Sequence, residues 1–195
     1  MSRTAEIDRT TGETEISLKL GLDGTGAGAR ETGVGFFDHL LDAVARHGGL
    51  DLDVQAKGDL ETGAHHTVED VGIVLGQALD QALGDRAGIV RFGHAVVPMD
   101  ESRASAAIDI SGRPFAAFEG PFPEQAVADL DAGLCEEFLR AVASSAKLTL
   151  HVTVEAAGND HHVIEAAFKS FARALRQAVA LDPNESGVPS TKGLL

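Results

Sequence analysis

Four of the eight histidines in this 195-residue chain fall in two copies of one pattern, His65-His66-Thr67-Val68-Glu69 and His161-His162-Val163-Ile164-Glu165, set 96 positions apart. Neutral imidazole and carboxylate are the usual protein ligands of a divalent transition metal, and each copy offers two of the first and one of the second. Spacing restricts how they act. Adjacent helical residues point about 100° apart, whereas positions i and i+4 overlie one another. His65 therefore shares an ion with Glu69 more readily than with His66, and the same holds for His161, Glu165 and His162. Each copy then contributes to two different ions, or sends its second histidine across an interface. One copy has too few ligands to close an octahedral shell; two copies, helped by the helices before them, hold two ions.

The elements that must position these groups repeat as well. Leu40-Leu41-Asp42-Ala43-Val44-Ala45 aligns with Phe138-Leu139-Arg140-Ala141-Val142-Ala143, and the match continues from Leu50, Leu52 and Val54 to Leu148, Leu150 and Val152. Both halves read as helix, strand, then metal-bearing helix. Leu40, Leu41 and Val44 recur at helical spacing until Gly48-Gly49 stops them, as do Leu134, Phe138 and Val142 in the counterpart. Lys147 to Glu155 alternates, with Leu148, Leu150, Val152 and Val154 on one face. In the last helix Ile164, Phe168, Phe171, Leu175 and Val179 form a stripe, Asn159 or Asp160 caps the start and Pro183 follows the end. Ahead of each first helix, Ile16, Leu18, Leu20 and Leu22, and Ala104, Ala106, Ile108 and Ile110, alternate as strands. Sheets covered on one side by helices make an α+β fold. No linker divides the chain, so one domain, 1–195, is expected from two pseudo-repeats, about 1–92 and 93–195, on a continuous core.

The repeat itself names further ligands. His39 lies on the helix before the first metal helix and aligns with Glu137 on the helix before the second. The full set is then His39, His65, His66, Glu69, Glu137, His161, His162 and Glu165. Five imidazoles and three carboxylates suit manganese, with iron or zinc as alternatives; magnesium prefers oxygen and retained water. Recurrence in register favours ligation over a surface cluster. His47 stands near a helix C-terminus, where a cation complements the dipole, and a site role is equally open to it. His94 reads as a solvated strand residue, and His151 as a surface or interface residue.

Composition excludes several classes. Cys135 is the only cysteine, so an internal disulfide or a thiolate-rich metal site is ruled out within one chain. The formal net charge of −14 argues against a sequence-independent grip on nucleic acid or an anionic membrane. No apolar run approaches the roughly 20 residues of a membrane span, and the N-terminus lacks a signal-peptide core, so a cytoplasmic location is the expectation.

Phe36-Phe37-Asp38-His39-Leu40-Leu41, His65-His66-Thr67-Val68-Glu69-Asp70, Arg91-Phe92-Gly93, Pro98-Met99-Asp100-Glu101, Ser111-Gly112-Arg113, Asn159-Asp160-His161-His162, Phe168-Lys169 and Pro189-Ser190-Thr191-Lys192-Gly193 resemble, in order, the motifs of the imidazoleglycerol-phosphate dehydratases. The resemblance covers nearly the whole chain. It implies a duplicated sheet-and-helix unit of the ribosomal protein S5 domain 2-like type and a homo-oligomeric shell of twenty-four subunits. It also implies interfacial active sites with two Mn(2+) each and no nucleic-acid or membrane partner. The implied reaction belongs to histidine biosynthesis: a carbon–oxygen hydro-lyase removes water from imidazole glycerol phosphate to give imidazole acetol phosphate. One departure stands out, since similar proteins often carry histidine where Glu137 falls.

The implied chemistry uses the substrate's own imidazole, or imidazolate, held by the metals, as the electron source that expels the neighbouring hydroxyl; a base then removes the adjacent proton. Glu165 and Glu13, the latter matching a substrate-contacting glutamate, are the candidates for proton transfer. Arg91, Arg113, Lys169 and Ser190-Thr191-Lys192-Gly193 are implied at the phosphate, with His47 as a further substrate contact. Asp100 and Glu101 are expected to position those cations. Two other readings remain: a di-metal phosphoesterase or hydrolase that activates water, and a non-catalytic metal-binding assembly protein.

Overall fold

The computed structural model describes residues 3–195. Two four-stranded sheets are built on the same plan. The first comprises β1 (Thr4–Thr10), β2 (Thr14–Gly21), β3 (Arg30–Glu31) and β4 (Asp51–Gly58), in the order β1-β2-β4-β3. The second comprises β5 (Phe92–Met99), β6 (Ser102–Asp109), β7 (Phe115–Glu119) and β8 (Thr149–Ala156), in the order β5-β6-β8-β7. In each, three strands run antiparallel and the last joins in parallel. Helices α1 (Gly35–Gly48) and α3 (Gly133–Ser145) make the crossover that a parallel pair requires. Helices α2 (His65–Leu83) and α4 (Asp160–Val179) follow β4 and β8. The fold is α+β.

Register explains the one-sided burial. Leu18 pairs with Val54 and Leu20 with Leu52; Ala106 pairs with Val152 and Ile108 with Leu150. All eight side chains are buried, while their strand neighbours Lys19, Asp53, Ala107 and His151 face outward. Lys147, expected to open a strand, instead turns with φ 55°, and β8 starts two residues later.

The helices fill the space between the two apolar faces, and they pair across the halves: α1 packs on α4, and α2 on α3. The result is one core that draws on both sheets and all four helices. Phe138 of α3 stacks on Phe168 of α4, with centroids 5.6 Å apart, and takes the edge of Phe37 from α1 at 5.2 Å. Where α2 meets α3 the backbones themselves touch. A Cβ on Gly76 would lie 2.7 Å from the Val142 carbonyl oxygen, and one on Gly72 2.8 Å from that of Phe138. Helix α1 ends as its sequence dictates, on Gly49 in the left-handed region at φ 66°.

Candidate functional site

Cross-pairing of helices builds the main cluster. His39 opens the second turn of α1, and His161 and Glu165 stand one turn apart on α4. The His39 Nε2 lies 2.6 Å from Glu165 Oε1, and the His161 Nε2 lies 3.0 Å from the same oxygen. One ligand atom from each falls within 4.8 Å of the other two. Phe36 seats both imidazoles, its ring 4.8 Å from that of His161 and 6.1 Å from that of His39. Asn159 caps α4, its Oδ1 accepting the His161 N–H at 2.9 Å.

Glu165 is 5% exposed. Burial alone would push its carboxyl upward, but Lys169, which sits on the second oxygen from position i+4, acts with His39 and His161 to bring it down to about 2. The group is an anion at any working pH. Burial lowers the pKa of His47, farther along α1, and the positive charges of Lys169 and Arg173 lower it further. Two imidazoles and one ionised carboxylate converging on one point form a donor set that fits manganese, iron or zinc.

The other half of the molecule repeats this arrangement more loosely. On α2 the His65 Nε2 lies 3.7 Å from Glu69 Oε2. Glu137, which occupies the position of His39, does not join them among the described residues; its Oε1 lies 3.8 Å from Arg140 Nε, one turn along α3.

The second histidine of each pair faces elsewhere. The His66 Nδ1 lies 3.1 Å from both carboxylate oxygens of Asp59, and its Nε2 lies 3.8 Å from Glu13 in the β1–β2 turn. The His162 Nδ1 lies 3.2 Å from both oxygens of Glu101, in the β5–β6 turn. Asp59 raises the pKa of His66. Glu101 is brought to about 2, first by the N–H of Asn159, which it accepts at 2.6 Å. Glu101 thus serves a histidine and a helix start, where the sequence pointed to the phosphate cations.

Those cations gather at a different place. Arg91, Arg113, Ser190, Thr191 and Lys192 line a cleft of about 460 Å³, with Gly193 following in the same tail. Arg91 is already engaged: its Nε donates to Asp109 at 2.7 Å and its Nη1 to the Pro189 carbonyl at 2.8 Å, which fastens the tail. Arg113 is exposed and spends one Nη on the Ser111 carbonyl. Lys169 is absent from this lining and lies at the metal-type cluster instead.

The two features occupy opposite ends of α4. The Arg91 N–H donates to the Ala178 carbonyl in the last turn, whereas His161 and Glu165 are in the first two. At about 1.5 Å per residue, the 13 to 17 residues from Glu165 and His161 to Ala178 set the cluster and the cleft about 20–25 Å apart along the helix.

The sequence reading passed over Phe36, Asp59 and the Lys169–Glu165 pair. The last was legible, because residues 165 and 169 stand at the i,i+4 spacing of a helical ion pair. The contact of Asp59 with His66 across the turn after β4, and that of Phe36 with His161 on α4, carry no periodic signal.

Comparison with known proteins identifies the family. The family model described as imidazoleglycerol-phosphate dehydratase matches residues 32–175. An imidazoleglycerol-phosphate dehydratase of Acidiphilium cryptum is 58% identical over 196 residues, covering 100% of both chains. That of Gluconacetobacter diazotrophicus is 55% identical over 195 residues, covering 100% of this chain and 98% of its own. The crystal structure of the dehydratase from Staphylococcus aureus superposes with a TM-score of 0.83 at 39% identity, covering 92% of this chain and 99% of the other. That from Pyrococcus furiosus also gives 0.83, at 35% identity, covering 97% of this chain and 100% of its own. Sequence and fold concur, and the chain belongs to the imidazoleglycerol-phosphate dehydratase family.

Proposed function

We propose that this protein dehydrates imidazole glycerol phosphate to imidazole acetol phosphate in histidine biosynthesis, at di-manganese sites shared between copies of the chain. The observation that carries the shared site is the span of α4. A substrate made of an imidazole, three carbons and a phosphate is less than half as long as the separation between the metal-type cluster and the basic cleft. One chain therefore cannot place its own cluster and its own cleft on the same molecule, and the complement must come from a neighbour. Support for a homo-oligomer, with the twenty-four-subunit shell as its expected form, rests on this mismatch and on family membership.

His39, His161 and Glu165 would hold one ion, and His65 and Glu69 belong to the equivalent set. His66 and His162 would offer their Nε2 atoms to ions held with other copies. Manganese, when bound, supplies Lewis acidity toward the substrate imidazole. Each protein group then has a definable task. Glu165, held ionised by Lys169, suits a permanent ligand and is poorly placed to cycle a proton. Glu13 is exposed at its turn, close to the free side of His66, and is the carboxylate that takes the proton from the glycerol carbon beside the departing hydroxyl. The resulting enol becomes the ketone by gaining a proton on carbon and losing the one on its oxygen. Arg113, Lys192 and the Ser190 and Thr191 hydroxyls hold the phosphate, while Arg91 fixes the tail that carries them.

The test is conversion of imidazole glycerol phosphate by protein stripped of metal and resupplied with manganese. Restored formation of imidazole acetol phosphate is expected. Hydrolysis of generic phosphate esters instead would replace this reading with the di-metal hydrolase, and manganese binding with no turnover would leave a metal-binding assembly protein.

A further inference from the structure

Each half of the chain presents one imidazole whose Nδ1 is straddled by a carboxylate, yet the carboxylates come from non-equivalent places. Asp59 belongs to the turn after β4, whereas Glu101 belongs to the hairpin turn between β5 and β6. Equivalent hairpin and turn positions exist in both halves. The partner of Glu101 by strand register is Glu13, since Ile16, Leu18 and Leu20 of β2 correspond to Ala104, Ala106 and Ile108 of β6. Glu13 leaves Nδ1 alone and lies 3.8 Å from the opposite ring nitrogen of His66. Conversely, the residues directly after β8, Ala157-Gly158-Asn159, offer no carboxylate at all. A Cβ on Gly158 would lie 2.2 Å from Glu101 Cγ, so the missing side chain is what lets Glu101 reach His162. The contact was therefore not simply copied with the duplicated unit. It is met twice, by different residues, and in the first half that releases the hairpin carboxylate for the other face of the ring.

We propose that Asp59 and Glu101 are positioning residues for metal binding: each accepts the Nδ1–H of its histidine, fixing the ring plane and the tautomer so that the Nε2 lone pair of His66 and of His162 points outward to an ion. This rests on the metal-site reading above. The chemistry is general, because an imidazole ligand whose other nitrogen donates to a carboxylate is oriented and made more basic, and losing such a partner typically weakens metal binding about 10- to 100-fold. Asp59 is the cleaner subject, since its side chain otherwise accepts a hydrogen bond, among the described residues, from the Thr62 hydroxyl alone, at 3.0 Å. Glu101 also holds the start of α4, so its removal mixes two effects.

The experiment compares full-length wild type, Asp59→Ala and Asp59→Asn after metal stripping. Free manganese is followed by electron paramagnetic resonance during titration, and the thermal midpoint of each metal-free protein is measured alongside. Asp59→Ala is expected to bind manganese at least 10-fold more weakly at those sites that depend on His66, with the metal-free midpoint little changed. Asp59→Asn, whose amide oxygen still accepts Nδ1–H, is expected to recover most of the affinity. Wild-type binding with Asp59→Ala within twofold of it overturns the positioning role and leaves the metal reading intact. A wild type that binds no manganese overturns both. If Asp59→Ala loses thermal stability and Asp59→Asn regains stability without affinity, the contact is structural and the proposal falls.

Discussion

The carboxylate of Asp129, in the loop leading to α3, accepts the backbone N–H of Phe36 at 2.9 Å and that of Gly35 at 2.6 Å. It caps α1 from the opposite half of the molecule, where the local N-cap residue, Val34, has no side chain to do so. Removal of such a cap typically costs about 1 kcal/mol, so Asp129→Ala should lower stability by that order, with Asp129→Asn keeping only part of it, because its amide has one acceptor oxygen for the two N–H groups. The same hydrogen bonds, that of Phe36 first, hold the Asp129 carboxyl below its ordinary value of 3.8. A carboxyl lowered on folding stabilises the native state above its unfolded pKa and loses that contribution as pH falls through the folded value. Denaturant titrations should therefore separate wild type from Asp129→Ala clearly at neutral pH and progressively less below about pH 3.8. An unchanged difference at low pH would show that the carboxylate charge is irrelevant to the cap.

Shared sites make a specific prediction for mixed assemblies. Arg113→Ala removes a cleft residue and His161→Ala a cluster ligand. If a site takes its cluster from one chain and its cleft from another, random mixing leaves roughly one site in four with both intact. Two preparations of low activity, dissociated and reassembled together, should then recover roughly a quarter of the wild-type rate. No recovery on mixing would place cluster and cleft of one active site in the same chain.

Deletion of Pro189 to Leu195 removes the Ser190, Thr191 and Lys192 side of the cleft without touching any metal-type residue. Manganese content by elemental analysis should stay near that of wild type while turnover is lost. Parallel loss of both would mean that the tail supports the assembly as a whole.

Gly76 is a test of how closely α2 must approach α3. A Cβ there meets the Val142 carbonyl at 2.7 Å and the Ser145 Cβ at 2.6 Å, neither of which is the end of a flexible side chain. Overpacking of this kind costs about 1–3 kcal/mol, so Gly76→Ala should lower the thermal midpoint despite the better helix propensity of alanine. A raised midpoint would show that the two helices part without cost.

Much of this was legible in the amino-acid order. The i,i+4 logic of the two His-His-x-x-Glu motifs separated His161 and Glu165 from His162, and the structure keeps them apart. Alternation gave the buried faces of β2, β6 and β8, and Gly48-Gly49 gave the end of α1. These signals are local, and local periodicity reports which face of an element is buried without saying against what. The pairing of α1 with α4 therefore left no trace in it, nor did Asp129, whose capping target lies 93 positions away. Glu101 was assigned to the wrong partner for the same reason. Its hairpin points toward the start of α4, a fact of topology that no spacing in the sequence encodes.

The crossing of helices between halves has a bearing on how this sequence is free to vary. His39 and Glu165 are 126 positions apart and belong to different repeats, yet they meet at one oxygen; His39 and Glu69 belong to the same repeat and serve opposite ends. Correlated change across the family should therefore link position 39 with 161 and 165, and position 137 with 65 and 69, in a pattern that runs between the two halves. On that account, variation at Glu137 should be accompanied by change in α2. Neither half by itself brings its own first helix to its own histidine-bearing helix, so each cluster needs both halves of the chain to form.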